Sequence, residues 1–268
     1  MDGRGSSAGT AGLRLLHYWW PLALGWSLTC VVQRATGGPL DPHGVQALLA
    51  GIVAAYSLDR VLDPPGEGAT GRNANGPGLL RLLLGATGVL AALLCLREAS
   101  HVPLRTAALM PLLGVAALGY PRLKQLPLTK TLVLPLIWTW ACIALPVADG
   151  SWFGWHALRE PVAAPLFFLI AAGCVLCDLK DEAADRESGV RTLPVLLGRA
   201  ATLRVAAVMT VAAGVLALVE HRTGIAVSAA VLGASTAWPA LLATESAGPL
   251  LVDVILTLPG LLIASRLV

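Results

Sequence analysis

C-D-L-K-D-E-A-A-D-R-E-S-G-V-R-T-L-P-V-L-L-G, Cys177–Gly198, is the stretch on which the rest of the chain depends. It holds Asp178, Asp181, Glu182, Asp185 and Glu187, directly after Pro161–Cys177, a run fit only for lipid. Acids at a membrane boundary are costly to place and call for a functional explanation. On a helix Asp178, Asp181 and Asp185 are spaced i, i+3, i+7, so three carboxylates line one face. Beside hydrocarbon such a face requires a cation.

Outward from this stretch the composition is that of a membrane protein. The chain has 268 residues, 56% hydrophobic and 13% charged, with mean hydropathy +0.73. A soluble domain carries about 25% charged residues. The net charge of +3 is too small to argue for nucleic acid. A spanning helix needs about 20 mainly apolar residues. Nine runs qualify: Leu13–Val32, Val45–Leu62, Leu79–Leu96, Val102–Gly119, Thr131–Val147, Pro161–Cys177, Ala201–Val219, Gly224–Ala243 and Pro249–Ser265. The expected fold is therefore all-α and polytopic, a single transmembrane domain over 13–268. It follows a polar, small-residue segment, Met1–Gly12, expected to be a disordered cytoplasmic tail and not a cleaved signal peptide. Pro111, Pro135, Pro165, Pro239 and Pro259 fall inside the runs, and Tyr18, Trp19 and Trp20 suit a membrane-interface belt.

Nine spans put the two ends of the chain on opposite sides. Thirteen of the 19 Lys and Arg residues then fall on the side of the N-terminus, which the positive-inside rule makes cytoplasmic. The acidic stretch shares that side. So do two further loops with unusual polar residues. In A-A-Y-S-L-D-R-V-L-D-P-P-G, Asp59 and Asp63 are i, i+4 with Arg60 beside them, and Pro64 and Pro65 end the helix. In G-Y-P-R-L-K-Q-L-P-L-T-K, Tyr120, Arg122, Lys124 and Lys130 lie close in sequence. Two acidic faces, a basic loop and an aromatic hydroxyl thus gather at one membrane rim. Carboxylates on two helices bind Mg2+ well when a phosphate supplies the remaining oxygens, and Lys and Arg complement the same phosphate. A diphosphate on a long hydrocarbon chain meets all of these demands.

At these residues the chain resembles the UbiA superfamily of intramembrane prenyltransferases, over essentially its full length. Members have nine membrane helices around a central cavity, a motif N-D-x-x-D-x-x-x-D after the second helix and D-x-x-D-x-x-x-D after the sixth. The second motif is matched by Asp178, Asp181 and Asp185, and the continuation D-R-x-x-G-V-R-T-L-P-V-x-L-G by Asp185–Gly198. A Y-P-x-x-K pattern is matched by Tyr120, Pro121 and Lys124. The first motif keeps Asp59 and Asp63 but reads Ala55-Tyr56 where Asn-Asp stands in the family. The resemblance implies that Asp59, Asp63, Asp181 and Asp185 hold Mg2+, with Asp178 a further metal residue, while Lys124, Arg122 and Arg60 contact the diphosphate. It places Tyr120 near the reacting carbon. It implies transfer of an isoprenyl group from a prenyl diphosphate donor to a small acceptor, aromatic or a quinone precursor, in the inner or plasma membrane.

Other readings compete with these. Asp59 and Asp63 alone would equally serve as solvated helix caps, and Arg122, Lys124 and Lys130 as topology determinants. A family member that has lost catalysis and acts as a scaffold is kept open by Ala55-Tyr56, as is a cyclase or phosphoribose-type relative. Cys174-x-x-Cys177 and the five scattered His have no metal-ligand context, and 66–78 lacks a P-loop ending, reading as a flexible loop with the look of a lid. Asp253, inside the last run, has no motif around it. Polar residues gathered at one face, with no internal repeat, argue against a transporter. Oligomeric state is not legible.

Overall fold

The computed structural model describes residues 7–62, 78–108, 110–123, 126, 128–146, 154–244 and 247–266. Among them the chain is helical with no strand. The helices are α1 (Ser7–Thr36), α2 (Pro42–Leu62), α3 (Gly78–Ala99), α4 (Leu104–Ala107), α5 (Met110–Leu123) and α6 (Leu134–Ala144), the last entered through a π turn at Thr129–Val133. A 3-10 turn at Gly154–Arg159 precedes α7 (Ala163–Ser188), α8 (Leu193–Leu197) and α9 (Arg199–Val219), followed by α10 (Thr223–Ser235), α11 (Pro239–Leu242) and α12 (Ala247–Ala264).

α7 is the central element. Leu166, Leu169, Val175 and Leu176 along it are fully buried, and α6, α9, α10 and α12 all pack against it. α2 pairs with α3 and α1 with α12. The last pair is close because Gly260 carries no side chain: a Cβ there would collide with the Ser27 backbone. Ser27 Oγ accepts from the Gly260 N–H at 2.9 Å and donates to the Thr257 carbonyl at 2.8 Å. Small residues and interhelical hydrogen bonds of this kind hold helices together where water supplies no hydrophobic drive. Outward faces are apolar instead of polar, with Leu82 and Leu90 on α3 and Val208, Val211 and Leu218 on α9 all exposed. Such surfaces suit lipid.

The structure departs from the sequence expectations in several places. By length and composition, four helices among the described residues are able to cross a membrane, Arg81–Ala99, Ala163–Ser188, Arg199–Val219 and Ala247–Ala264, with Thr129–Ala144 and Thr223–Ser235 shorter and apolar. The expected count of nine is not reached by that measure. Prolines account for part of the shortfall. Pro111, Pro135, Pro165 and Pro239 sit in the first turns of α5, α6, α7 and α11, where a missing N–H costs nothing. The run expected as Gly224–Ala243 is accordingly cut at Thr236–Trp238, and Val102–Gly119 is divided between α4 and α5. Pro259 does lie inside α12. α1 starts at Ser7, ahead of Leu13, because Ser, Ala and Thr extend an existing helix at little cost. Residues 1–6 of the expected tail lie outside the described residues, as do Asp63, Lys124 and the loop over 66–77. The Trp20 indole N–H donates to Thr257 Oγ1 at 2.9 Å, fastening α1 to α12.

Candidate functional site

The acids of α7 stand where the helix leaves the core. Asp178 and Asp185 are buried, 5% and 8% exposed, while Asp181 is more open. Lys180 Nζ lies 2.6 Å from Asp181 Oδ1, and Arg186 donates to Glu182 Oε1 at 2.9 Å. Arg186 is therefore engaged as an ion-pair partner on the exposed side of the helix.

Lys130 supplies the cation that the acidic face requires. Its Nζ lies 3.4 Å from Asp178 Oδ1 and 3.5 Å from Asp185 Oδ2. The π turn that carries it begins after Leu128, whose φ of 64° is a left-handed conformation unfavourable for leucine. π turns and strained backbone recur at functional sites. Burial works against the Lys130 charge, but Asp178, Asp185 and Asp181 more than offset it and hold its pKa above the ordinary lysine value. It remains an ammonium at neutral pH.

The signature following Asp185 has a structural task. Gly189 takes φ 76°, which glycine adopts without strain, and both its N–H and that of Val190 bond to the Asp185 carbonyl. The chain doubles back, and Thr192 Oγ1 donates to Asp185 Oδ2 at 3.0 Å. Thr192 and Lys130 thus fix the same carboxylate oxygen from two directions. Neither residue was assigned to the site by the sequence. For Thr192 the signal was present, since it lies within G-V-R-T-L-P; for Lys130 its position in the basic loop was the only hint.

Among the described residues one ammonium serves these two carboxylates, Asp178 and Asp185. Asp178 Oδ2 is buried and has no hydrogen-bond partner among the described residues. An orphaned buried carboxylate oxygen and an all-carboxylate donor set fit a hard divalent cation such as Mg2+. Among the described residues no three His, Cys, Asp or Glu are grouped so as to hold a metal ion by themselves.

The other expected residues fall as follows. Asp59 and Arg60 lie in the last turn of α2 and Asp63 lies outside the described residues. Tyr120 and Arg122 end α5, and their side chains, like all of Lys124, are outside the described set. Tyr56, one turn before Asp59, meets Trp138 of α6 edge to face, ring centroids 6.5 Å apart. Asp253, Cys174, Cys177 and Asp59 are near enough to act on it electrostatically.

The sequence matches the model of the UbiA prenyltransferase family over residues 72–262. No curated protein matches the chain in sequence. Among solved structures it resembles the apo form of a UbiA homologue from Aeropyrum pernix K1, with a TM-score of 0.70 at 19% identity, covering 94% of this chain and 98% of that one. It also resembles a UbiA homologue from Archaeoglobus fulgidus bound to GPP and Mg2+, with a TM-score of 0.58 at 16% identity, covering 93% of this chain and 99% of the other. A UbiA homologue from Archaeoglobus fulgidus bound to DMAPP and Mg2+ gives a TM-score of 0.56 at 14% identity, covering 95% of this chain and 97% of that one. At these identities the likeness is one of fold, and the family match carries the assignment: the chain belongs to the UbiA prenyltransferase family.

Proposed function

We propose that the protein transfers an isoprenyl group from an allylic prenyl diphosphate to an acceptor held among its membrane helices. The observation that carries this reading is the Lys130 bridge between Asp178 and Asp185, with the second oxygen of Asp178 left uncompensated beneath it. A purely structural ion cluster would be balanced. This one is arranged to receive more cation together with an anion.

In this reading Asp59, Asp63, Asp181 and Asp185 hold Mg2+, joined by Asp178. The ion supplies Lewis acidity to the leaving diphosphate. Lys124, Arg122 and Arg60 bind diphosphate oxygens from the rim, and Lys130 swings from the carboxylates toward the same charge as it develops. The allylic C–O bond breaks with its electron pair leaving on the diphosphate. The acceptor's nucleophilic atom supplies the pair for the new bond and gives up a proton to the pyrophosphate. Tyr120 would stand near the reacting carbon, as the family resemblance implies, and the apolar helices keep water from the allylic cation. The rim faces the cytoplasm in an inner or plasma membrane, by the positive-inside count.

The test is pyrophosphate release by purified protein offered allylic diphosphates, with and without Mg2+. Asp185→Ala is expected to abolish it; full activity in that variant would sink the assignment. A second reading, a family member without catalysis, is favoured by Ala55 and Tyr56, which occupy the places of an amide and a carboxylate. It predicts silence in the wild type and activity in Ala55→Asn/Tyr56→Asp.

A further inference from the structure

Arg199 and Arg204 serve neither the chemistry just proposed nor the packing of the fold. Before them, α8 follows directly on Thr192, packs on α7 and α9, and buries Leu193 and Pro194. Its last two residues face out instead, Leu196 and Leu197 being 47% and 54% exposed. Arg199 and Ala200, which open α9, are exposed as well. From Ala200 one face of α9 runs through Arg204, Val208, Val211 and Val215, at i, i+4, i+8, i+11 and i+15, and each of these is exposed. Arg204 thus stands at the head of a stripe whose valines suit hydrocarbon. A charge in that place is held by extending its stem toward the headgroups. Arg199 lies five residues, about 7.5 Å, nearer the helix end. The level at which an extended Arg204 meets phosphate is therefore that of Arg199 and of the exposed leucines.

Neither guanidinium bonds to any described residue. Other cations of the chain are committed: Lys130, Lys180 and Arg186 to carboxylates, and Arg222 to the Ala35 carbonyl at 3.2 Å. We propose that α8 and the start of α9 form a docking surface for an anionic phospholipid of the leaflet that borders the acidic rim. Leu196 and Leu197 enter the acyl region, and Arg199 and Arg204 hold the headgroup phosphate. Charge complementarity selects the lipid. Phosphatidylcholine carries its own quaternary ammonium and brings no net charge, whereas phosphatidylglycerol brings a negative charge to two uncommitted positive ones. The exposed leucines favour a lipid over a free anion, because apolar side chains gain only from a hydrocarbon chain. This surface is independent of the transferase reading, since it requires only that the outer face of α9 meet lipid.

The experiment is native mass spectrometry of the full chain in a neutral detergent, titrated with phosphatidylglycerol or phosphatidylcholine, reading the Kd of the first lipid bound. The wild type is expected to hold phosphatidylglycerol about twentyfold more tightly than phosphatidylcholine, at about fivefold per arginine. Arg199→Gln and Arg204→Gln should each weaken phosphatidylglycerol about fivefold and leave phosphatidylcholine within about twofold. Leu196→Ser/Leu197→Ser should weaken both lipids. Arg34→Gln, beside the far end of α9 where Arg222 reaches the Ala35 carbonyl, should change neither. All five substituted positions are exposed, so the fold is not at stake. Equal affinities in the wild type, a preference that survives loss of both arginines, or an equal fall in Arg34→Gln would each overturn the docking surface. Displacement of phosphatidylglycerol by an equal concentration of inorganic phosphate would overturn it too, leaving an anion site in its place.

Discussion

Two clusters of covered carboxylates, one facing the start of α2 and one at the end of α7, are built in opposite ways. At the start, His43 Nδ1 lies 2.7 Å from Glu98 Oε2, and Arg97 Nε lies 3.8 Å from the other oxygen. The His101 ring stacks on His43 with centroids 4.7 Å apart. Glu98 is covered locally at the end of α3, and both of its oxygens are met. In the α7 cluster, Lys130 is shared by two aspartates and one oxygen of Asp178 is met by nothing described. A carboxylate that only fastens helices is matched oxygen for oxygen. A set kept in deficit of positive charge stores a demand for a ligand, and the fold bears the cost.

The strongest way to break this comparison is Lys130→Met. Removing one partner of a buried ionic group costs about 3 kcal/mol, so the ligand-free protein should lose thermal stability in detergent. Pyrophosphate release should fall by roughly a hundredfold or more, the scale of losing one fixed charge on a leaving group. Added Mg2+ should recover much of the stability, because a cation replaces a cation. No recovery would make the acidic end structural, like its counterpart at Glu98.

Asp178→Asn probes the deficit from the other side. It removes charge and supplies a donor where repulsion now acts. The ligand-free protein should become more stable by about 1 kcal/mol while turnover drops roughly tenfold. A destabilised variant would mean that Asp178 is balanced by a partner after all. Glu98→Gln is the control at the far end. It should lower the melting temperature by a few degrees and leave pyrophosphate release within about twofold of wild type, measured on the same preparations.

The acidic end was legible in sequence because its chemistry is local. Asp178, Asp181 and Asp185 sit at helical spacing within one short segment, and the G-V-R-T-L-P continuation is contiguous with them. The helices were legible as apolar runs, but not where they stop. Pro239 cuts one run and Pro111 begins a helix in another, and sequence counts residues without saying which side of a proline stays helical. The pairing of Lys130 with Asp178 and Asp185 and the Glu98 cluster were not legible for a different reason. Each depends on residues 55 positions apart meeting in space, and neither separation carries a period.

Thr192→Val gives the smallest expected effect and the sharpest test of what the signature is for. Its hydroxyl holds Asp185 Oδ2, the same oxygen that faces Lys130, and both residues are buried. Valine keeps the shape and removes one neutral hydrogen bond to a charged group, worth about 1.5 kcal/mol. If Thr192 only closes the turn after α7, that loss should appear in stability and leave the KM for Mg2+ untouched. If it aims Asp185, stability should fall by the same amount and the KM for Mg2+ should rise about threefold with little change in kcat, because the carboxylate must then be oriented by the metal that it binds. Thr192→Ser, which retains the hydroxyl, should restore the KM under the second reading and restore only stability under the first. The geometry favours the second, since Gly189 and Val190 already close the turn through the Asp185 carbonyl and leave the threonine hydroxyl free for the side chain.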